Sequence, residues 1–330
     1  MSKDGQFNGV ISPNRHQFKL IGKKQRKYDR ISMVTIQRIT HLLCHPVEAL
    51  RVINRSVRWR SFVNDDGTYV LDRDWDNLII LDACRYDVFA EEITQSSLTG
   101  DLRKMESRAP TTSDWVRTNF QNRTLDGTVC VSNNPWYEQL SSLDLDFHAY
   151  HPSYSGRMED FEEALNNLLT VVEGVIDTYQ NKRFLIHVGL PHEPYIGPTA
   201  QEYPILKRSD SPAEVISGID HKYPGKIFEK AYRENLRIGL EVAEKLYEQL
   251  SGKTVISSDH GELLGERYLT MPFKQYGHHG ILVPELLNVP WFVCEHDNRK
   301  KIHPEDSVKD IGETPKEELE EHLEQLGYQV

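Results

Sequence analysis

Short apolar runs alternate with helix-like segments along most of the chain, and this alternation limits the possible folds more than any other feature. The apolar runs that predict buried strands lie at 77–82, 128–131, 183–188, 253–257 and 289–294. Segments with helical patterns lie at 85–95, 112–120, 160–180 and 227–250, and the Pro-, Ser- and Gly-containing stretch 195–226 predicts a long loop. Strands that alternate with helices build parallel sheets covered by helices. The sequence therefore predicts an α/β protein.

The first 60 residues differ in charge from the rest of the chain. Residues 1–60 contain 13 Lys and Arg against 3 Asp and Glu, although the whole chain carries a formal charge of −11. We expect a basic helical extension over 1–70, an α/β domain over 71–300 and an acidic tail or helix over 301–330. The acidic body argues against nucleic acid as a partner.

Apolar residues recur at steps of three and four over 31–58, which predicts a helix within the basic extension. Arginines occupy the other positions of this helix. A basic amphipathic helix either packs on an acidic body or lies on an anionic membrane surface. The sequence leaves both alternatives open, the second being a peripheral membrane contact through residues 31–58.

The cysteines and the hydropathy bear on the cellular compartment. The four cysteines are far apart and form no CxxC pair, which argues against a disulfide framework and for a reducing compartment. The first residues lack the apolar core of a signal peptide. No apolar run reaches the ~18 residues of a transmembrane helix. We therefore expect a cytoplasmic protein, peripheral at the inner membrane face if the basic helix binds lipid.

Acidic and histidine side chains follow two of the predicted strands. Asp82 ends the first strand, and Asp259 and His260 directly follow the strand at 253–257. Because ligands bind at the carboxyl ends of the strands in α/β sheets, these side chains are expected at one edge. Two carboxylates and an imidazole can bind a divalent cation. Taken singly, each residue is equally well explained as a helix cap or a turn residue.

A predicted helix begins at Thr112, and its positive end favours an anion such as a phosphoryl group. A hydroxyl there either caps the helix or acts as a nucleophile. His192 lies just past the strand at 183–188, and His278 and His279 lie before the last strand. Any one of these histidines alone would be assigned a structural role.

Four segments together resemble the alkaline phosphatase superfamily, in its sulfatase-like branch. They are NLIILDACRYD at 77–87, LPHEPY at 190–195, SDHGELLGE at 258–266, and GH at 277–278 followed by PELLNVP at 284–290. They occur in the order expected for the family over residues 75–295. The resemblance implies a three-layer α/β/α sandwich with a central, mostly parallel sheet. It also implies an enzyme that acts on ester bonds.

The resemblance further implies roles for single residues. Asp82, Asp259 and His260 would bind one divalent metal ion, with Mn²⁺, Mg²⁺, Ca²⁺ and Zn²⁺ all open. Thr112 would be the nucleophile and also contact the metal. Its Thr-Ser-Asp context is similar to that at the nucleophile of lipoteichoic acid synthases. Thr111 is the alternative nucleophile.

The histidines complete the implied site. His192 and His278 would hold the phosphoryl oxygens or the leaving group, with His279 as the alternative to His278. Two-metal relatives have an Asp where this chain has Val188, which favours a single metal unless Glu193 or another carboxylate substitutes.

The chain lacks the Cys/Ser-x-Pro-x-Arg motif of sulfatases, and a threonine cannot be converted to formylglycine. The sequence therefore predicts a metal-dependent hydrolase or transferase acting on phosphate mono- or diesters. The expected substrate is a small-molecule, glycan-linked or lipid-linked phosphate ester. Two alternatives remain, namely a sulfuric ester hydrolase that works without formylglycine and a non-catalytic binding protein on the same fold.

Overall fold

The computed structural model describes residues 63–139, 145–153, 161–208, 212–268 and 271–304. The helix expected over 31–58 lies outside these residues, as do most of the extension over 1–70 and most of the tail over 301–330. Within the described ranges, no helix combines the length and the apolar character needed to cross a membrane.

The strands of the described residues form one large sheet and one hairpin. They are β1 (Asn77–Asp82), β2 (Gly100–Glu106), β3 (Thr124–Ser132), β4 (Asp146–Pro152), β5 (Arg183–Pro191), β6 (Thr254–Ser257), β7 (Leu263–Tyr268), β8 (Met271–Gly277) and β9 (Asn288–Cys294). The seven-stranded sheet has the order β2-β9-β6-β1-β5-β3-β4, and β7 pairs with β8. Within the large sheet only the pairs made by β9 are antiparallel. The predicted mostly parallel central sheet is therefore confirmed.

The helices occupy most of the segments between these strands. They are α1 (Tyr86–Glu92), α2 (Thr112–Phe120), α3 (Trp136–Gln139), α4 (Phe161–Ile176), α5 (Pro198–Glu202), α6 (Pro212–Gly218), α7 (Pro224–Gln249) and α8 (Pro284–Leu287). Short 3₁₀ turns lie at Val70–Asp72, Ile93–Gln95 and Pro204–Lys207.

The alternation of side chains along β1 divides the core into two layers. Leu78 and Ile80 pack on one face of the sheet, in a cluster with Trp115 of α2. Ile79 and Leu81 pack on the other face, in a cluster that includes side chains of α1, α4 and α7. Burying each such aliphatic side chain stabilises the fold by roughly 1.5–3 kcal/mol. With helices on both faces, the predicted three-layer α/β/α sandwich is confirmed.

Several parts of the fold differ from the sequence-based expectation, among them the hairpin of β7 and β8, which was not predicted. Strand β2 was not predicted because most of its side chains are exposed at an edge of the sheet. Strand β4 forms the opposite edge, and polar residues interrupt its apolar pattern. The stretch 195–226, expected as a loop, contains α5, α6 and a 3₁₀ turn. Each of these helices is short, and α6 lies in a segment with little periodicity.

The sheet order places the carboxyl ends of three strands side by side, and these ends carry the candidate site residues. Strand β1 lies between β6 and β5, and all three run parallel. The segments that leave their carboxyl ends are therefore neighbours. They carry Asp82, the Asp259-His260 pair and His192.

Candidate active site

Asp82, Asp259 and His260 form a buried cluster at the carboxyl edge of the sheet. Each offers one ligand atom, and these three atoms all lie within 4.8 Å of one another. Nε2 of His260 lies 3.4 Å from Oδ2 of Asp259 and 3.9 Å from Oδ1 of Asp82. Two carboxylates and an imidazole at this spacing fit a divalent cation.

Backbone groups orient two members of the cluster. Nδ1 of His260 donates a 2.7 Å hydrogen bond to the carbonyl of Gly261, which leaves the lone pair on Nε2. Oδ1 of Asp259 accepts from the backbone N–H groups of Ala83 at 3.0 Å and of His260 at 2.9 Å. The other oxygen of Asp259, Oδ2, therefore faces the centre of the cluster.

Asp82 is held at one oxygen only. Its Oδ2 accepts from Nδ2 of Asn134 at 2.5 Å and lies 3.3 Å from Nε2 of His187. Its Oδ1 is buried and has no hydrogen-bond partner among the described residues. Burial by itself raises the pKa of Asp82, but the hydrogen bond from His187 and the nearby His192 hold this pKa below its usual range. A buried ionised oxygen without a donor requires a compensating charge, which a cation would supply.

The two threonines at the start of α2 have different partners. Thr111 is the N-cap, and its hydroxyl accepts from the backbone N–H of Asp114. Thr112 is fully buried, and its hydroxyl donates to Oδ2 of Asp259 at 2.7 Å. The same hydroxyl lies 3.1 Å from Nε2 of His260. The structure thus brings Thr112 onto the cluster and uses Thr111 to cap the helix.

Two further histidines adjoin His260. The ring of His278 lies 4.6 Å from that of His260 and 5.0 Å from that of His192, measured between centroids. Nδ1 of His192 donates to the carbonyl of Glu193 at 2.7 Å. His279, the alternative to His278, follows it in a turn and accepts at its carbonyl from the N–H of Ile281.

Carboxylates near His192 and His278 affect the electrostatics of the site. Burial lowers the pKa of His192, but the charges of Glu193 and Asp82 outweigh it and raise this pKa above its ordinary value. Oε2 of Glu262 lies 3.4 Å from Nδ1 of His278. Burial, followed by the charge of Glu193, raises the pKa of the Glu262 carboxyl well above its ordinary value. The site therefore combines negative charge at the cluster with a histidine that readily carries a proton.

Sequence reasoning found the cluster but missed several of its supports. His187 lies within a strand, where the sequence does not distinguish it from a core histidine, and the sequence motifs give no role to Asn134 or Glu262. Their nearness to the strand ends was the available signal, since Asn134 follows β3 and Glu262 follows the Asp-His-Gly segment. Val188, in contrast, packs in the hydrophobic core and provides no ligand.

Comparisons with known proteins find similar solved structures, although no family model and no curated protein matches the chain. The C-terminal periplasmic domain of EcEptC from Escherichia coli, in complex with Zn, is 13% identical with a TM-score of 0.47, over 79% of this chain and 85% of that chain. The C-terminal periplasmic domain of the phosphoethanolamine transferase EptC from Campylobacter jejuni is 13% identical with a TM-score of 0.43, over 66% and 77%. A putative sulfatase from Bacteroides thetaiotaomicron is 10% identical with a TM-score of 0.45, over 77% and 71%.

The fold that the four sequence segments imply, helices on both faces of a mostly parallel sheet, is the fold observed in this chain. The similar structures are a phosphoethanolamine transferase and a putative sulfatase, enzymes of the ester-bond class that the sequence predicted.

The expectation of a cytoplasmic protein is contradicted by these comparisons, because two of the similar structures are periplasmic domains. The cysteines on which that expectation rested are poor indicators of compartment. Cys84, Cys130 and Cys294 are free and buried, and buried thiols are inert in either redox environment.

Proposed function

We propose that this protein is a metal-dependent hydrolase or transferase that acts on phosphate mono- or diesters, with Thr112 as its nucleophile. One observation carries the proposal. The hydroxyl of Thr112 is hydrogen-bonded to Asp259. Both belong to a cluster in which Oδ1 of Asp82 is buried and has no hydrogen-bond partner among the described residues.

One divalent cation would be held by Oδ1 of Asp82, Oδ2 of Asp259, Nε2 of His260 and the hydroxyl of Thr112. When bound, such a cation neutralises charge on phosphoryl oxygens and lowers the pKa of a coordinated hydroxyl. Mn²⁺, Mg²⁺, Ca²⁺ and Zn²⁺ all accept carboxylate ligands. The imidazole in the set favours Zn²⁺ over Mg²⁺, Ca²⁺ and Mn²⁺, which prefer oxygen ligands. The place of Val188 in the core supports a single cation.

The nucleophilic step follows from the contacts of Thr112. Its hydroxyl is oriented by the hydrogen bond to Oδ2 of Asp259 and releases its proton to solvent before attack, since Oδ2 itself would bind the cation. The oxygen then forms a bond to phosphorus while the bond from phosphorus to the leaving oxygen breaks, giving a phosphothreonine. Thr112 is the first residue of α2, so the positive end of the helix favours the negative charge of the phosphoryl group.

The histidines serve the leaving group and the substrate oxygens. His192, whose pKa is raised by Glu193 and Asp82, donates a proton to the leaving oxygen. His278 is oriented by Glu262 and contacts the phosphoryl oxygens. Water or an acceptor alcohol then attacks phosphorus and gives its proton to His192, which has lost its own. The bond from phosphorus to the Thr112 oxygen breaks and that oxygen takes a proton from solvent, which completes hydrolysis or transfer respectively.

The test measures turnover of aryl phosphate monoesters, aryl phosphate diesters and aryl sulfates by chelator-treated protein resupplied with each of the four metals. Replacing Thr112 with alanine should reduce kcat/KM for the best phosphate ester by ~10³-fold or more. Thr118→Ala is the matched control, because Thr118 lies on the same helix and its hydroxyl bonds only to backbone carbonyls of α2.

Each other outcome points to a different protein. Full activity in Thr112→Ala would reject the nucleophile. Faster cleavage of sulfates than of phosphates would favour the sulfuric ester hydrolase. A protein that binds no metal and turns over none of these esters would be a binding protein on this fold.

A further inference from the structure

A chain of buried polar side chains leads from Asp82 away from the catalytic edge. Nε2 of His187 lies 3.3 Å from Oδ2 of Asp82, and Nδ1 of His187 lies 3.0 Å from the hydroxyl of Tyr137. His187 pairs in register with Ile80, two residues before Asp82. Because side chains two apart on a strand share a face, the ring of His187 meets Asp82 on the α2 side of the sheet.

Tyr137 and His187 share a hydrogen bond, and its direction follows from the chemistry of the two groups. Burial raises the pKa of Tyr137 well above its ordinary value, so the phenol keeps its proton and can donate it. Donation to Nδ1 occupies the lone pair of that nitrogen. With that lone pair occupied, the ring carries a proton on Nε2, which lies 3.3 Å from Oδ2 of Asp82.

Packing fixes the hydroxyl of Tyr137 in this position. The ring of Tyr137 lies 6.3 Å from that of Phe147 and is stacked on Tyr150 at 6.2 Å, between centroids. The ring of His187 meets Tyr137 edge-on at 5.6 Å and Trp115 edge-on at 6.1 Å. Both Tyr137 and His187 are buried, so neither ring can turn without disturbing the core.

The two oxygens of Asp82 therefore have different surroundings. Oδ2 receives the amide of Asn134 at 2.5 Å and faces the N–H of His187. Oδ1 is the oxygen nearer to Nε2 of His260, at 3.9 Å, and has no partner among the described residues. The carboxylate is thereby fixed with one oxygen saturated and the other presented to the cluster.

We infer that Tyr137 and His187 are positioning residues of the metal site. Tyr137 selects the tautomer of His187, and His187 together with Asn134 holds Oδ2 of Asp82 so that Oδ1 alone binds the cation. The inference rests on the proposed metal site. Partners of this kind, which orient a ligand without contacting the metal, change metal affinity by 10- to 100-fold when removed.

The first test compares Zn²⁺ binding by the full-length protein and its Tyr137→Phe variant, using calorimetry with a competing chelator. The variant keeps the ring and loses the hydroxyl, so its affinity should fall about 10-fold or more. Nitrogen NMR of the His187 ring should show Nε2–H in the wild type and a mixture of tautomers in the variant. Tyr150→Phe is the control, since Tyr150 stacks on Tyr137 in the same cluster, and it should change neither reading.

A double-mutant cycle separates the positioning role from general damage to the core. Glutamine at 187 offers an N–H at the position of Nε2 and does not need Tyr137. In a His187→Gln background, Tyr137→Phe should therefore have no further effect on Zn²⁺ affinity. If Tyr137→Phe does not fold, His187→Gln should still bind Zn²⁺ more tightly than His187→Leu.

The inference is overturned if Tyr137→Phe keeps both the Zn²⁺ affinity and the His187 tautomer of the wild type. It also fails if Tyr150→Phe loses as much affinity as Tyr137→Phe. These results differ from failure of the proposed function, in which the wild-type protein itself would bind none of the four metals.

Discussion

The hydroxyl of Thr112 donates to Oδ2 of Asp259 across 2.7 Å, although the two residues are 147 positions apart in the chain. The bond joins the first turn of α2 to the loop after β6. It is absent for the preceding residue, Thr111, whose hydroxyl caps the helix by accepting from the N–H of Asp114. Two adjacent threonines therefore have different roles: Thr112 is the proposed nucleophile and Thr111 caps the helix.

Substitutions at the two threonines should affect stability and activity separately. Thr111→Ala should lower the free energy of unfolding by about 1 kcal/mol through loss of the cap, with kcat/KM changed only a few-fold. Thr112→Val, which keeps the side-chain shape without the hydroxyl, should lose ~10³-fold in kcat/KM with little change in stability. Urea unfolding and steady-state kinetics measure the two effects. The opposite pattern, with Thr111→Ala inactive and Thr112→Val active, would exchange the assignments.

Metal binding should stabilise the fold, because a cation offsets the charges of Asp82 and Asp259 inside the protein. A metal present at 100 times its dissociation constant adds about 2.7 kcal/mol, which corresponds to a rise in Tm of roughly 4 °C for a chain of 330 residues. Thermal unfolding with Zn²⁺ and with a chelator measures the rise. Asp259→Asn should abolish it, whereas Asp177→Asn, at an exposed position of the chain, should retain it. A rise that survives in Asp259→Asn would remove Asp259 from the ligand set.

The central strands were predictable because buried parallel strands are nearly continuous apolar runs. Strand β1 is buried along its whole length, and its sequence from Leu78 to Leu81 is entirely aliphatic. The edge strands lack this signal, since β2 is stabilised by pairing with β9 rather than by its own apolar side chains. Pairing with a distant partner leaves no local pattern in the sequence.

The residues of the candidate site also differ in how well the sequence predicts them. Predicted strands end at or just before Asp82, Asp259 and His260. Once these strands are neighbours in a parallel sheet, the three side chains lie close together. Asn134 donates to Asp82, which is 52 positions earlier in the chain. This contact depends on the conformation of the loop after β3, which the sequence does not predict. His187 lies within a strand, where a polar side chain is equally compatible with a core position.

Asn235 of α7 fixes the loop that carries His192. Its Nδ2 lies 3.1 Å from the carbonyl of Pro194 and 3.3 Å from that of His192, and its Oδ1 accepts from the N–H of Ile196 at 2.9 Å. Asn235→Leu leaves these buried backbone groups without a partner, so stability should fall by at least about 2 kcal/mol. Because His192 is released, kcat should also fall, on the order of 10²-fold for a displacement near 1 Å. Kinetics below the unfolding transition measures this.

A matched control lies at the other end of β1. Asn77 is buried, and its Nδ2 donates to the carbonyl of Ser251 at 2.9 Å and to the hydroxyl of Thr254 at 3.0 Å. Asn77→Ala should lower stability in the same way while kcat stays within a few-fold of the wild type. Equal losses of kcat in the Asn77 and Asn235 variants would mean that the effect of Asn235 is not specific to His192.

An ion-pair cluster binds the segment after β9 to the amino end of the sheet. Asp76, 1% exposed, accepts from Nε of Arg299 at 2.8 Å and from the N–H of Lys253 at 2.8 Å. Burial by itself raises the pKa of Asp76, but these hydrogen bonds outweigh it and lower this pKa below 3.8. Hydrogen bonds from Arg299 and Lys253 lower the pKa of Asp74 to about 2. Since Asp74 is mostly exposed, solvent screens its contribution and Asp76 dominates.

The cluster should make stability depend on pH in acid. A carboxyl whose pKa is lower in the folded protein than in the unfolded chain stabilises fully above its unfolded pKa near 4, and this stability is lost as the pH falls through the folded pKa. Asp76→Asn should therefore lower the free energy of unfolding by about 2 kcal/mol at pH 7, and the gap to the wild type should narrow between pH 5 and pH 2. Urea unfolding at several pH values measures the gap. Asp101→Asn, which breaks an exposed pair with Arg103, should stay within about 0.5 kcal/mol of the wild type throughout. A gap for Asp76→Asn that stays constant on acidification would contradict the role of its ionised form.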